Sequence, residues 1–398
     1  MITRRIFPAL FLFLALNPFV LAQSPEPGKD DPLKESFKTL RDKFAPDRRV
    51  AVFDLAWDTS PSGLVLKGEV DNPSAKQEAL AVFKKASGAA VVDSIRVLPD
   101  TAFGENVYGI VTLSVGNMRS KPGNSEELSS QVLMGMVVKL LKKQSGHFYV
   151  QSHDKYLGWI DTDALFVTDR AGVDSWAAAK KVIVTGYFGI VREESLATAQ
   201  PVCDVVIGNM LKTFKTGDTW TEVELADGRK GYLERSLVED YDTWKSSRAP
   251  NGPNVEKAAK MFVGVPYLWG GTSSKGMDCS GFTKTVYRLN GIELNRDANQ
   301  QATMGEDVPM GDNFENLQKG DLLFFGRKAS GGRPERISHV AIYLENEGFI
   351  HSSGRVRFGS FDPASQYYDE FDLRRLVRAR RVLPSTDIPE VRKQLDGH

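Results

Sequence analysis

A chain of 398 residues is too long for one ordinary domain, and two to four are expected. Hydrophobic residues make up 41% and charged residues 26%, the balance of a globular protein rather than a disordered or fibrous one. Lys+Arg and Asp+Glu both number 51, so no bulk charge points to nucleic acid or to an acidic surface as partner.

Residues 1–22 read as a secretory signal. Arg4 and Arg5 supply the positive end, and Ile6 to Leu21 the apolar core, interrupted by Pro8, Asn17 and Pro18. Val20-Leu21-Ala22 before Gln23 fits small-residue cleavage. The core is short for a membrane span and no Cys follows it, so an exported chain, periplasmic or secreted, is expected without a membrane anchor. Only two cysteines occur, Cys203 and Cys279. Export would permit a disulfide, but their flanks look unrelated in role. Cys203 lies in the apolar run Pro201 to Ile207 and reads as core.

A Pro-rich linker over 23–30 leads to Asp31, an N-cap for a helix that starts at Pro32 and runs to about Phe44. Strands are expected over 49–57 and 63–70, with 58–62 as the turn, then a helix over 74–87 and a strand over 91–98. This small α/β unit, residues 23–105, carries no chemical motif and is assigned no activity. Residues 106–170 are rich in short strands with turn signals, and residues 175–245 repeat their pattern. Gln131-Val-Leu-Met-Gly135 matches Asp204-Val-Val-Ile-Gly208, and Tyr156-Leu-Gly-Trp-Ile160 matches Arg229-Lys-Gly-Tyr-Leu233. Both pairs of glycines are offset by 73 residues, so two copies of one all-β module are expected.

Turn formers over 244–254 mark a boundary, and the last domain occupies 250–385 with a frayed tail over 386–398. Its centre is Val263 to Leu294, where a glycine-rich loop with Tyr267 and Trp269 runs into Asp278-Cys279-Ser280-Gly281. Phe282, Val286 and Leu289 recur at helical spacing, which places Cys279 at a helix N-terminus. Unpaired backbone N–H groups and the helix dipole favour a thiolate there. A buried structural thiol fits the local sequence equally well.

A cysteine nucleophile needs a base, and of five histidines only His339 and His351 lie inside this domain proper. His339 opens one predicted strand, in Ser338-His-Val-Ala-Ile-Tyr343, and His351 lies on the next, in Phe349-Ile-His-Ser352. A two-residue loop at 346–347 would put the two rings on opposite faces. A three-residue loop over 345–347 pairs Leu344 with Gly348, sets His351 opposite Ala341 and brings the rings to one face. Two cysteines and scattered histidines give no metal-ligand spacing, and Gly270-Gly271 lacks the ending of a phosphate loop. No cofactor or metal is expected.

Residues 254–384 resemble the NlpC-type family of bacterial cell-wall cysteine peptidases. The motifs that carry the resemblance are V-G-V-P-Y-L-W-G-G at 263–271, D-C-S-G-F at 278–282, R-D-A-N-Q-Q at 296–301, G-D-L-L-F-F at 320–325, S-H-V-A-I-Y at 338–343 and F-I-H-S-S-G at 349–354. The repeated module resembles bacterial SH3-like domains. Together these imply an α+β multidomain chain: a small α/β unit, two SH3-like barrels and a papain-like peptidase domain. The resemblance implies Cys279 as nucleophile, His339 as base and His351 as the orienting third residue, with an oxyanion hole at the helix start helped by Tyr267.

The paired barrels before the peptidase resemble the γ-D-glutamyl-L-diamino acid endopeptidases of murein peptide turnover. That subgroup takes peptides with a free N-terminal L-Ala, held by an acid of the first barrel and an aspartate after the catalytic helix. The resemblance implies Glu127 and Asp297 for those acids, with Glu126 next in line for the first, and Tyr156, Tyr267, Trp269, Asp278 and Ser280 as further substrate-binding positions. Position 298 departs from the pattern, with Ala where the subgroup has Ser. A non-catalytic wall-binding protein, or a Cys/His amidase on another wall substrate, stays open.

Overall fold

The computed structural model describes residues 32–60, 63–88 and 90–384; the expected leader and tail lie outside these residues. Helix α1 (Pro32–Phe44) and helix α2 (Pro73–Ser87) pack on a three-stranded sheet of β1 (Phe53–Ser60), β2 (Gly63–Val70) and β3 (Val91–Val97). Leu33, Phe37, Leu40 and Phe44 recur at helical spacing along α1 and bury against this sheet, with the Phe37 ring 5.7 Å from Phe53 and 5.6 Å from Trp57. The Asn72 side chain caps α2 by accepting from Ser74 N–H, and Gly88 ends it in the left-handed conformation.

Two expectations fail here. The first strand runs on to Ser60, which pairs with Gly63, so the turn is shorter than 58–62. It also starts at Phe53 rather than Arg49. Asp47 accepts from the Arg49 N–H at 2.9 Å, a local turn that competes with strand geometry.

Seven strands between Tyr108 and Thr168 form one sheet, and seven between Lys181 and Asp240 form another. Counted in chain order within each sheet, the spatial order is 7-1-4-5-6-2-3 in both. The repeat legible in the sequence is therefore a repeat of topology. Gly135 and Gly208 show its cause: both have positive φ, 85° and 89°, and both N–H groups return to the first strand of their own sheet's set, at Val111 and Val184. Cys203 is only half-buried at its barrel's edge, not in its core, and both cysteines are free thiols.

The last domain is a six-stranded antiparallel sheet ordered Glu306–Val308, Leu376–Arg381, Leu322–Arg327, Arg336–Tyr343, Gly348–Ser353, Arg355–Ser360. Strand alternation divides its side chains between two cores. Leu322, Phe324, Val340, Ile342 and Ile350 face the Cys279–Arg288 helix through Phe282 and Val286. Leu323, Phe325, Ala341 and Phe349 face the other way, under Leu373 of the helix Glu370–Arg375. The C-terminal strand Leu376–Arg381 lies inside the sheet, with Glu306–Val308, a strand with no sequence signal, outside it.

Candidate active site

The helix that begins at Cys279 is started by its neighbour. Asp278 is the N-cap, and its Oδ1 accepts from Gly281 N–H at 2.7 Å. Its Oδ2 accepts from Gly270 N–H at 2.9 Å and from Arg296 at 2.6 Å. Ser280 donates to Asp278 at 3.2 Å and accepts from Arg296 at 3.1 Å. Asp278, Ser280 and Arg296 are all buried. Their polar atoms are committed to holding the helix start, so the structure places Asp278 and Ser280 in the scaffold under the nucleophile.

The Cys279 thiol is buried, and the Val340 and Ser280 N–H groups point at it. The sulfur therefore meets the strand at the residue after His339. Burial, then the Asp278 charge, pushes the thiol up to about 12, against the helix-terminus effect that the sequence suggests. Burial, then the His351 charge, pushes His339 down to about 4. Burial thus disfavours the charged form of both groups.

The loop over 345–347 has three residues. Ile342 pairs with Ile350, and the Leu344 N–H donates to Gly348 O at 2.9 Å. Asn346 and Glu347 take positive φ, 49° and 61°, to close it. That register continues to set His351 opposite Ala341 and brings the two rings together. His339 Nε2 lies 2.9 Å from His351 Nδ1, with the rings edge to face. For His339 to accept a proton on its other nitrogen, Nε2–H must donate to His351 Nδ1.

Asp372, which no sequence motif marks, joins the two rings. It comes from the helix Glu370–Arg375, and its Oδ2 lies 3.4 Å from the same His351 nitrogen. Burial pushes its carboxyl up, but the neighbouring His351 and His339 rings win, and it is held below the usual range. Asp369 as N-cap three residues earlier was the available signal. His339, His351 and Asp372 offer ligand atoms within 4.8 Å of one another, a spacing that could hold a metal ion. Two of these side chains, His339 and His351, are hydrogen-bonded to each other at 2.9 Å.

A cavity of about 300 Å³ opens beside His339, lined by Tyr267, Ser352, Phe371 and Arg375 among others. Burial, then the Cys279 and Asp278 charges, pushes the Tyr267 hydroxyl up, so it stays a hydrogen-bond donor.

The first barrel meets this loop directly. Trp269, 62% exposed, donates its indole N–H to Glu127 at 2.8 Å. Thr272 is bonded to Gln131 through N–H and hydroxyl at 2.9 and 3.0 Å. Gly270 sits at φ +78° against Leu128, where a Cβ would lie 2.3 Å from the Leu128 carbonyl oxygen. Tyr156 donates to Asp297 at 3.1 Å, and burial, then the Asp297 charge, pushes its hydroxyl up. Asp297 in turn starts a short helix, Ala298–Gln301, with Gln300 Oε1 accepting from its N–H at 3.0 Å. The expected residues thus gather as His339–His351, Glu127–Trp269 and Tyr156–Asp297, with Cys279 against Val340, the residue after His339. Deeper in the same seam, buried Lys284 pairs with Glu293 at 2.9 Å and with Asp154 of the barrel at 3.1 Å.

Comparison with known proteins matches this arrangement. The profile of the NlpC/P60 family matches residues 264–381, and that of the bacterial dipeptidyl-peptidase SH3 domain matches residues 118–165. The chain is 29% identical over 272 residues to dipeptidyl-peptidase 6 of Lysinibacillus sphaericus, covering 65% of this chain and 93% of that one. It is 28% identical over 275 residues to a γ-D-glutamyl-L-lysine dipeptidyl-peptidase of Bacillus cereus, covering 66% and 77%. The fold matches the crystal structure of an NlpC/P60 family protein from Bacillus cereus with a TM-score of 0.60 at 24% identity, covering 70% of this chain and all of that one. The chain belongs to the NlpC/P60 family of cysteine peptidases.

Proposed function

We propose that the protein is an exported cell-wall endopeptidase that hydrolyses the γ-D-glutamyl–L-diamino acid bond of murein peptides with a free N-terminal L-Ala. The observation that carries this reading is Cys279 at a helix start against Val340, the residue after His339, and the His339–His351 pair, together with an acid and a tyrosine, Asp297 and Tyr156, that meet across the seam with the first barrel. Two relatives are named for release of dipeptides, one of them for cutting at γ-D-glutamyl-L-lysine. Among the described residues no helix is long and apolar enough to cross a membrane.

In this scheme the γ-D-Glu carbonyl lies at the start of the Cys279 helix. The thiol attacks the carbonyl carbon as its proton passes to His339, whose Nε2–H donates to His351 while Asp372 offsets the new positive charge. Helix-start N–H groups and the Tyr267 hydroxyl face the oxyanion. The proton returns to the leaving amine of the diamino acid, and water then hydrolyses the thioester. Asp297, Tyr156 and Glu127 hold the N-terminal ammonium through charge-assisted hydrogen bonds that a blocked end cannot make. Trp269 walls the same end through its bond to Glu127.

Incubation with L-Ala-γ-D-Glu-diaminopimelate should release L-Ala-γ-D-Glu, read by mass spectrometry, and Cys279→Ala should release none. Absence of product with the unaltered protein, or unchanged release by the variant, sinks the reading. Acetylation of the substrate N-terminus should abolish turnover; equal turnover removes the ammonium-binding role.

A further inference from the structure

The α/β unit, residues 23–105 in the sequence reading, has no motif, yet it reaches the site. Arg49 Nη1 donates to Asp297 Oδ2 at 2.7 Å, the same oxygen that accepts from Tyr156 at 3.1 Å. Nothing about this guanidinium is loose. Its Nε and Nη2 grip the two Asp47 oxygens at 2.9 and 2.7 Å, and Nη1 also donates to Asn299 at 2.8 Å. Asp47 in turn accepts from Gln300 Nε2 at 2.7 Å, so the turn 47–49 is tied twice to the short helix that Asp297 begins. The other side of the turn is fixed to the barrel, where Leu157 N–H donates to Arg49 O at 2.8 Å and Gln151 to Val50 O at 2.9 Å.

We propose that Arg49 is a positioning and specificity residue: it holds Asp297 oriented for the substrate ammonium and closes the pocket beyond the N-terminal residue. The inference rests on the amine-binding role proposed for Asp297. Charge supports it. Asp47, Arg49 and Asp297 sum to one net negative charge, the complement of one ammonium. Asp297 stays 27% exposed, so its carboxylate is held without being sealed. A fork-shaped cation with each nitrogen engaged makes a wall rather than a gate. Longer peptide ends would have to displace it.

The test compares Arg49→Ala and Arg49→Lys with the unaltered protein on two peptides, L-Ala-γ-D-Glu-diaminopimelate and the same peptide extended by an N-terminal Gly. Thermal melting is recorded for each. Arg49→Ala should raise KM for the first peptide about tenfold with little change in kcat, and should admit the extended peptide. Arg49→Lys keeps the charge but not the fork, and should raise KM less while admitting some extended peptide. If Arg49→Ala does not fold, the Lys variant carries the comparison alone.

Unchanged KM with continued rejection of the extended peptide overturns the proposal. So does a lowered KM, which would make Arg49 a competing cation that the substrate must evict. If the unaltered protein cleaves N-acetylated peptide as fast as free peptide, the amine reading itself fails and this inference with it. Discrimination by the unaltered protein, together with an indifferent Arg49→Ala, removes only the role of Arg49.

Discussion

His351 Nδ1 lies 2.9 Å from His339 Nε2 and 3.4 Å from an oxygen of Asp372. One ring nitrogen thus stands between the base and a buried carboxylate. The arrangement predicts graded losses. His351→Ala should lower kcat about a hundredfold, because His339 loses the acceptor that fixes its tautomer. His351→Asn, which keeps an acceptor oxygen, should recover part of that loss. Asp372→Asn should lower kcat by a smaller factor and leave KM unchanged. Steady-state kinetics on one peptide decide between these, and equal activity in all three variants rejects the relay.

The acid limb of the activity profile should sit low. Burial, then the His351 charge, holds His339 near 4, against an ordinary 6.5. The base must be neutral to take the thiol proton, so kcat/KM should rise as pH climbs through about 4 and be level by neutrality. Measured between pH 3 and 8 on the free peptide, a limb near 6.5 would mean that the site is open to water.

Tyr156→Phe deletes one hydrogen bond to an ionised carboxylate. Asp297 then loses one of the donors that orient it, so KM for the free-amine peptide should rise about three- to tenfold. The variant should keep its melting temperature within a few degrees, since only one oxygen is removed.

The seam between barrel and peptidase domain should be acid-sensitive. Asp154 is buried against Lys284, and although burial alone would raise it, the Lys284 charge holds it at about 2 against an ordinary 3.8. Its folded value is depressed, so the stabilisation is present above 3.8 and is lost as pH falls towards 2. Lys284→Met leaves Asp154 and Glu293 buried without their cation and should cost about 3–5 kcal/mol. Thermal melting at pH 7 measures that loss, and melting between pH 5 and 2 follows the acid transition.

Gly270→Ala should cut activity without touching any catalytic group. At φ +78° the new Cβ would lie 2.3 Å from the Leu128 carbonyl oxygen, so barrel and catalytic loop must separate. A fall in kcat/KM with an intact far-ultraviolet spectrum is the expected result; unchanged activity would show that the seam can yield.

Much of the site is readable along the chain because its determinants are local. Cys279 heads a helix because Asp278 can cap it and Phe282 and Val286 follow at helical spacing. The two histidines share a face because three residues, 345–347, close the hairpin between their strands. The double barrel shows through because its turns demand glycine at the same places in both copies. Other features depend on what lies across a domain boundary. Asp372 has no motif and matters only because its helix covers the strand that carries His351. The strand Glu306–Val308 has no periodicity to announce it and is made by its partner. The thiol and imidazole shifts follow from burial, which local sequence does not contain. Arg49 lies 248 residues from Asp297, in a segment that reads as an ordinary strand start. Capping, spacing and loop length decided that Cys279 heads a helix and that the two histidines share a face, because those act over a few residues. Packing alone decided the burial that shifts the thiol and the imidazole and the pairing of Arg49 with Asp297, because desolvation and ion pairing act through space.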